Sequence, residues 1–385
     1  MNARRLFRHR AYTLVVLAAA LLLAGPPGGG AQENDNHIRY RQQGKFKLTE
    51  LRTYKVPTKV IGRIGGREVI ELDVSGAKGK MGKILTVDHE GYVWFLESGE
   101  DREVRIDPRT LELTEFQLPH GGSPYSIAVD SKGVHWITAH GIEVLLESDP
   151  KKGEVTAHVP PSHGFLIHIN VDLRDDTVWF TMPSENKVVS FHRERGFKEY
   201  EIPTPESGPG RMDFDSKGRV WVPELYTGKL AVLDPRTGQF EEFELPTRHG
   251  LPVFCMVDKD DAVWVSEPMA DKYARFKDGV WKEFDVPTRN AIVSTALEDY
   301  DGSIWFTEGG WRGSAGGNKV ARLDPKTGQV EELALPSENA QPVGIARDKY
   351  GNIWFQQINA GKITRVAAPQ AAQAAGVRTT SGKNE

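Results

Sequence analysis

The sequence predicts an all-β chain: a seven-bladed β-propeller with four-stranded blades, its last blade closed by an N-terminal strand. Three observations predict it. Tryptophan recurs at a nearly fixed period, each repeat divides into four short runs of strand chemistry, and the final repeat lacks a fourth run of its own. Trp94, Trp136, Trp179, Trp221, Trp264, Trp305 and Trp354 follow one another at intervals of 42, 43, 42, 43, 41 and 49 residues, each preceded by an aspartate, a turn and an apolar residue. A fixed period of this length marks a repeat architecture. A four-stranded unit of about 40 to 45 residues cannot cover both its faces alone, and a ring stacks such units without long exposed edges. The longest interval contains residues 309–317, G-G-W-R-G-S-A-G-G, a turn-rich insertion into one repeat. Trp281 and Trp311 lie outside the series.

The repeat around Trp221 gives the plan of a blade. Met212-Asp213-Phe214, Val220-Trp221-Val222, Lys229 to Leu233 and Phe240 to Leu245 are four apolar-rich runs, separated by Asp215-Ser216-Lys217-Gly218, Thr227-Gly228 and Asp234-Pro235-Arg236-Thr237-Gly238. Short alternating runs between turn residues are strands. Asp-Pro-x-Thr-Gly recurs at Asp324, and at Asp107 with Leu111 in place of the glycine. Proline presets the turn and glycine accepts positive φ, so backbone geometry accounts for the motif. The seventh repeat stops after Lys362-Ile363-Thr364-Arg365-Val366. Residues 47–57, KLTELRTYKVP, resemble the fourth strands of other repeats, such as residues 330–336, VEELALP, and are expected to pair with the last blade. The tryptophans read as blade-to-blade packing, and Cys255, within Val253-Phe254-Cys255-Met256-Val257, as a small buried hydrophobe.

The propeller is thus assigned to residues 46–366, with a flexible segment at 32–45 and a disordered Ala/Gln-rich tail at 367–385. Residues 1–31 read as a secretory signal peptide. Arg4, Arg5, Arg8 and Arg10 precede an uncharged apolar run from Ala11 to Ala24 and a small-residue stretch ending at Ala31. The run is short for a membrane span, so the mature chain is expected to begin at Gln32, to be periplasmic or extracellular, and to have no transmembrane span. The pair Arg4-Arg5 also has twin-arginine character, so Sec and twin-arginine routes stay open. Four arginines and no acid leave with this segment, moving the formal net charge from -4 to -8. With 49 basic and 53 acidic side chains and no basic cluster after the N-terminus, a nucleic-acid partner is excluded. One cysteine excludes an intramolecular disulfide.

Chemistry in such a ring belongs at the rim of the central channel, where loops from every blade converge. The third residue after each repeat tryptophan reads Glu97, Ala139, Met182, Glu224, Glu267, Glu308 and Gln357. Four acids at one equivalent position would converge if that position faces the axis, raising one another's pKa and favouring a cation, an ammonium group or a general base. The inner strands begin at Lys83, Tyr125, Ile167, Gly210, Val253, Ser294 and Val343, with His168 and Arg211 adjacent. His120, His163 and His249 lie in the linkers, and His140 follows the second tryptophan. Imidazoles on one rim suit a transition metal, yet no H-x-x-x-H, H-E-x-x-H or Cys/His pair is present, and no metal ligand is assigned. G-x-S-x-G, P-loop and dinucleotide fingerprints are absent too. The residues assigned to a ligand are Glu97, Tyr125, His140, Arg211, Glu224, Glu267, Glu308 and Trp311, the last with Arg312 on the inserted loop as a contact arm. The partner is a small molecule, a peptide or a cell-envelope protein.

Several phrases carry a resemblance: Ile304-Trp305-Phe306-Thr307-Glu308, Asn318-Lys319-Val320-Ala321-Arg322-Leu323-Asp324, residues 330–336 and Gln341-Pro342-Val343-Gly344-Ile345. Over residues 47–366 the chain resembles the virginiamycin B lyases, also called streptogramin B lyases. The resemblance implies a seven-bladed propeller and, in members with the activity, elimination across an ester C–O bond of a cyclic depsipeptide. It also implies a bound magnesium ion and a histidine base. At the matching positions this chain has Ser294 for a metal-side histidine, Gln341-Pro342-Val343 for Glu-Pro-His, and Ile358 near a glutamate. Valine cannot take a proton and glutamine is no anionic ligand. The expectation is a family scaffold that binds without that elimination; a metal-dependent C–O lyase or lactonase-type hydrolase with a relocated set is the alternative.

Overall fold

A computed structural model gives residues 41–74, 81–309 and 317–369, which form seven antiparallel sheets arranged as a propeller. The export segment, Trp311 with most of its loop, and the tail from residue 370 lie outside the described residues. Blades 3 to 6 have four strands each; in blade 4 these are Asp213–Phe214, Val220–Glu224, Lys229–Asp234 and Gln239–Glu244, inner to outer. Blades 1, 2 and 7 have five.

The recurring aspartate is the tryptophan's partner. The indole N–H groups of Trp94, Trp136, Trp221, Trp264 and Trp354 donate to Asp88, Asp130, Asp215, Asp258 and Asp348 at 2.7, 3.1, 3.0, 2.9 and 2.8 Å. The other oxygen of each aspartate accepts backbone N–H groups of the turn, as Asp215 does from Lys217 and Arg219. A buried indole N–H needs an acceptor, and this arrangement ties that need to the turn between the first and second strands. Around the hub the blades are stitched at their inner ends. Lys83 N donates to Tyr125 O at 2.9 Å, Thr138 Oγ1 to Ile167 O at 2.8 Å and Arg211 N to Val253 O at 2.9 Å. Tyr273 OH reaches Ser294 O at 2.8 Å, and Gln356 Nε2 reaches Gly82 O at 2.8 Å.

An N-terminal strand closes the ring, but it is not the run at residues 47–57. Arg67–Asp73 pairs antiparallel with Lys362–Val366, Lys362 opposite Asp73 and Val366 opposite Val69, and Thr58–Ile64 lies outside it. Thr49–Lys55 instead adds a fifth strand to blade 1 on Glu112–Gln117, and Gly44–Lys47 adds one to blade 2 on Glu154–His158. The burial patterns explain the exchange. Val69 and Leu72 in the closing strand are fully buried, whereas Thr49–Lys55 is mostly exposed like any outermost strand. An outer-strand pattern specifies an edge without saying which edge. The flexible segment expected up to residue 45 overlaps the strand Gly44–Lys47, and Arg41 donates to Glu143 at 3.1 Å.

Arg67 clasps the seam. It is buried and donates to Asp299 at 2.5 Å, to Gly351 O at 2.7 Å and to Ala367 O, with its guanidinium 5.0 Å from the Trp305 ring centroid. Residues 367–369, assigned in the sequence reading to the disordered tail, begin docked here: Ala367 N donates to Glu68 O at 2.7 Å and Ala368 N to Asn352 Oδ1 at 2.8 Å.

Candidate functional site

The start of each first strand and the end of each second strand come to the same rim, because the two are antiparallel. Pro124 pairs with Ala139, Val293 with Glu308 and Pro342 with Gln357, while Met81 bridges Glu97 and Pro209 bridges Glu224. The four glutamates are fully buried, but their side chains do not meet; each turns into its own blade. Each faces a basic residue of the third strand and a glutamate of the fourth. Glu97 lies 3.8 Å from Arg102, which pairs with Glu115 at 3.1 Å. Behind Glu224, Glu267 and Glu308 stand the pairs Lys229–Glu242, Lys272–Glu283 and Lys319–Glu332 at 3.0, 2.8 and 2.5 Å. The hydroxyls of Thr204, Thr247 and Thr288, in the linkers from the preceding blades, donate to those outer glutamates. Burial, reinforced by the neighbouring glutamate, pushes Glu97 and Glu224 up to about 7 and Glu267 and Glu308 up to about 8.

Blade 7 explains what this position needs. Gln357 takes the glutamate's place, fully buried, and its Nε2 donates to Glu71 Oε1 at 2.7 Å while Lys362 holds Glu71 Oε2 at 2.9 Å. The site calls for a hydrogen-bond donor toward the outer carboxylate. Both carboxyl oxygens of Glu267 and of Glu308 are buried without a partner. A glutamate there supplies the donor only when protonated, which agrees with the direction of its shift. These acids are parts of the blade.

The other expected residues do come together, on the side of the rim built by blades 1 to 4. Tyr125 is buried, its ring 5.2 Å from His140 and 6.2 Å from His168, centroid to centroid. His140 and His168 are only 6% and 8% exposed. Nδ1 of His140 and both ring nitrogens of His168 have no hydrogen-bond partner. Burial and the charge of Lys83 push His140 down to about 4; burial and the charge of Arg211 push His168 down to about 3. Both imidazoles are therefore neutral. Arg211 is half-buried, its guanidinium 5.1 Å from the Phe254 ring centroid, and its enclosed Nη1 has no partner. Phe165, 56% exposed, places its ring 6.0 Å from His140. Lys83 and His168 belong to this cluster although the sequence reading placed them only at their register positions. The signal was that register itself, which sets Lys83 and Tyr125 at two successive inner-strand starts and His168 and Arg211 next to the following two, Ile167 and Gly210.

On the opposite side, blades 5 to 7 present Phe254, Ser294 and Val343. Phe254 and Val343 are buried, the Ser294 carbonyl accepts from Tyr273, and Ile358 packs on the core of blades 1 and 7. Among the described residues no group of three or more His, Cys, Asp or Glu side chains is placed to hold a metal ion.

The sequence model of the virginiamycin B lyase family matches residues 49–248 and 174–382. This chain belongs to the virginiamycin B lyase family. The fold is similar to virginiamycin B lyase from Staphylococcus aureus, with a TM-score of 0.71 and 25% identity over 79% of this chain and 100% of that one. It is equally similar to a catalytically inactive histidine-to-alanine variant of that enzyme with quinupristin, with a TM-score of 0.70 and 26% identity over 79% and 100% of the two chains. An extracellular domain from B. thetaiotaomicron, of a protein described as a one-component system, shares the fold at 15% identity and a TM-score of 0.58, covering 77% of this chain and 42% of that one. No curated protein matches the chain. No helix among the described residues is long and apolar enough to cross a membrane.

Within this family the implied magnesium does not fit the residues present at the matching positions. Magnesium takes hard, largely anionic oxygen ligands. Ser294, Gln341, Val343 and Ile358 offer a neutral hydroxyl, a neutral amide and two aliphatic side chains.

Proposed function

We propose that this chain is an exported propeller that binds a small-molecule or peptide ligand at one rim of its channel, on the side built by blades 1 to 4, and that it does not perform the family's elimination. One observation carries the reading: Nδ1 of His140, both nitrogens of His168 and Nη1 of Arg211 are enclosed without a partner among the described residues. Leaving a buried polar group unsatisfied costs about 1 to 3 kcal/mol. Folds keep such groups where something else completes them. Tyr125 and the exposed ring of Phe165 give a ligand apolar surface beside these donors. Against elimination stand Val343 and Gln341, which offer neither a base nor an anionic ligand where the family resemblance implies both. The arginine-rich, then apolar, N-terminal sequence supports export.

A fragment and peptide screen followed by NMR of the aromatic side chains tests the reading, with hits expected to shift Tyr125 and Phe165. Hits confined to other faces sink it. With magnesium present, the protein should leave a streptogramin B cyclic; linearisation restores the lyase reading. Protein recovered from outside the cytoplasm should begin at Gln32, and retention of the intact chain inside contradicts export.

A further inference from the structure

The charges around this rim also say what kind of group completes it. Resting on the rim reading above, we propose that the ligand carries an anionic group, a carboxylate or a phosphate, held by Arg211 and His168 within the field of Lys83. Among the described residues Arg211 forms no ion pair, although the charge of Asp213 acts on it. The oxygens of Asp213 are taken by other donors: Oδ2 accepts from Val257 N at 2.8 Å, and Oδ1 accepts from Phe214 N at 2.9 Å and from Asn170 Nδ2 at 3.2 Å. A guanidinium cannot shed its proton in a protein, so a half-buried one that makes no ion pair gains a charge-assisted hydrogen bond from an anion that reaches it. The Phe254 ring lies on one side of the guanidinium, 5.1 Å from its Cζ to the ring centroid, and a guanidinium offers carboxylate and phosphate oxygens a fork-like contact.

His168 strengthens the assignment. Both of its nitrogens lack partners although the ring is 8% exposed, so one N–H is available as a donor beside the arginine. A cationic ligand would meet Arg211 on one side and the charge of Lys83 on the other. A neutral ligand would leave the guanidinium uncompensated. The two blades between Lys83 and Arg211 carry Ala139 and Met182 at the position where four other blades carry glutamate, so no carboxylate of that set competes there.

Calorimetric titration of the full chain with phenylacetate, phenyl phosphate and the uncharged phenylacetamide tests the proposal. The expected result is that at least one anion binds and that the amide binds more weakly by about tenfold or more, a difference of about 1.4 kcal/mol. Tighter phenyl phosphate than phenylacetate assigns the group as phosphate, and the reverse order as carboxylate. Arg211→Met should remove most of the anion affinity without lowering the melting temperature, because it deletes a half-buried charge that makes no ion pair in the described residues. If that variant does not fold, Lys83→Gln is expected to weaken both anions and leave the amide unchanged. Equal binding of amide and anions, full anion affinity in the folded Arg211→Met or Lys83→Gln variant, or no binding of either anion overturns the anionic assignment. The rim reading is decided separately, by the uncharged members of the fragment screen.

Discussion

Arg67 and Arg211 are both drawn into the protein, and they differ in every partner. Arg67, at the seam where the N-terminal strand closes blade 7, spends its donors on Asp299, Gly351 O and Ala367 O. Arg211, at the rim of blade 4, stacks on Phe254 and leaves Nη1 without a partner. The seam is complete within the chain, whereas the rim is not. Burial alone therefore separates neither structural from functional groups. What separates them is whether the chain supplies the second half of each interaction. Glu267 and Glu308 look incomplete too, but Gln357 at the same place in blade 7 identifies their missing partner as a proton.

Substitution sharpens this contrast. The largest effect is expected at the seam: Arg67→Ala leaves the buried Asp299 with Tyr300 N at 2.8 Å and, as its one close cation among the described residues, Arg347 at 3.4 Å, and should cost about 3 to 5 kcal/mol in urea unfolding. Arg67→Lys should recover only part, since an ammonium cannot span three acceptors in a plane. A loss below about 1 kcal/mol would make the clasp ornamental.

The acids come next. Their folded pKa of about 8 lies above the ordinary 4.5, so the native state holds protons that the unfolded chain releases. Stability should then fall as pH rises from 4.5 to about 8 and level off above that. Glu267→Gln with Glu308→Gln should flatten that slope, leaving the part due to Glu97 and Glu224 below about pH 7, and raise stability at pH 8, as read from urea midpoints across the range. A wild type with flat stability from pH 5 to 8 contradicts the shared proton. Gln357→Glu should do the reverse and steepen the slope. The smallest effect on stability is expected at the rim, where Arg211→Met should stay within about 1 kcal/mol of the wild type or exceed it.

Blade number and blade plan were legible in the sequence because five of the seven indoles form a short, repeated, local pair with an aspartate, and Trp179 and Trp305 keep the period without it. Closure was legible as a need and misplaced as a segment, since Thr49–Lys55 and the fourth strands share the exposed pattern common to any sheet edge. The four glutamates were misdirected for a related reason: a repeat period says that positions are equivalent without saying where they point. A signal was nevertheless present. Glu97, Glu224, Glu267 and Gln357 are each followed five residues later by Arg102, Lys229, Lys272 and Lys362, the spacing that sets them side by side across a tight hairpin. The cluster of Tyr125, His140 and Arg211 was found because inner-strand register does place residues around one axis. What sequence alone withheld was the absence of partners for His168 and Arg211, which depends on how Asp213 spends its oxygens.

The position of a bound anion is the most direct test. Crystals soaked with 4-bromophenylacetate should show the bromine's anomalous signal among Tyr125, His140 and Phe165, with the carboxylate on Arg211. A signal confined to the seam cleft lined by Arg63, Arg67 and Arg322, or to the side of the rim formed by Ser294 and Val343, would contradict it.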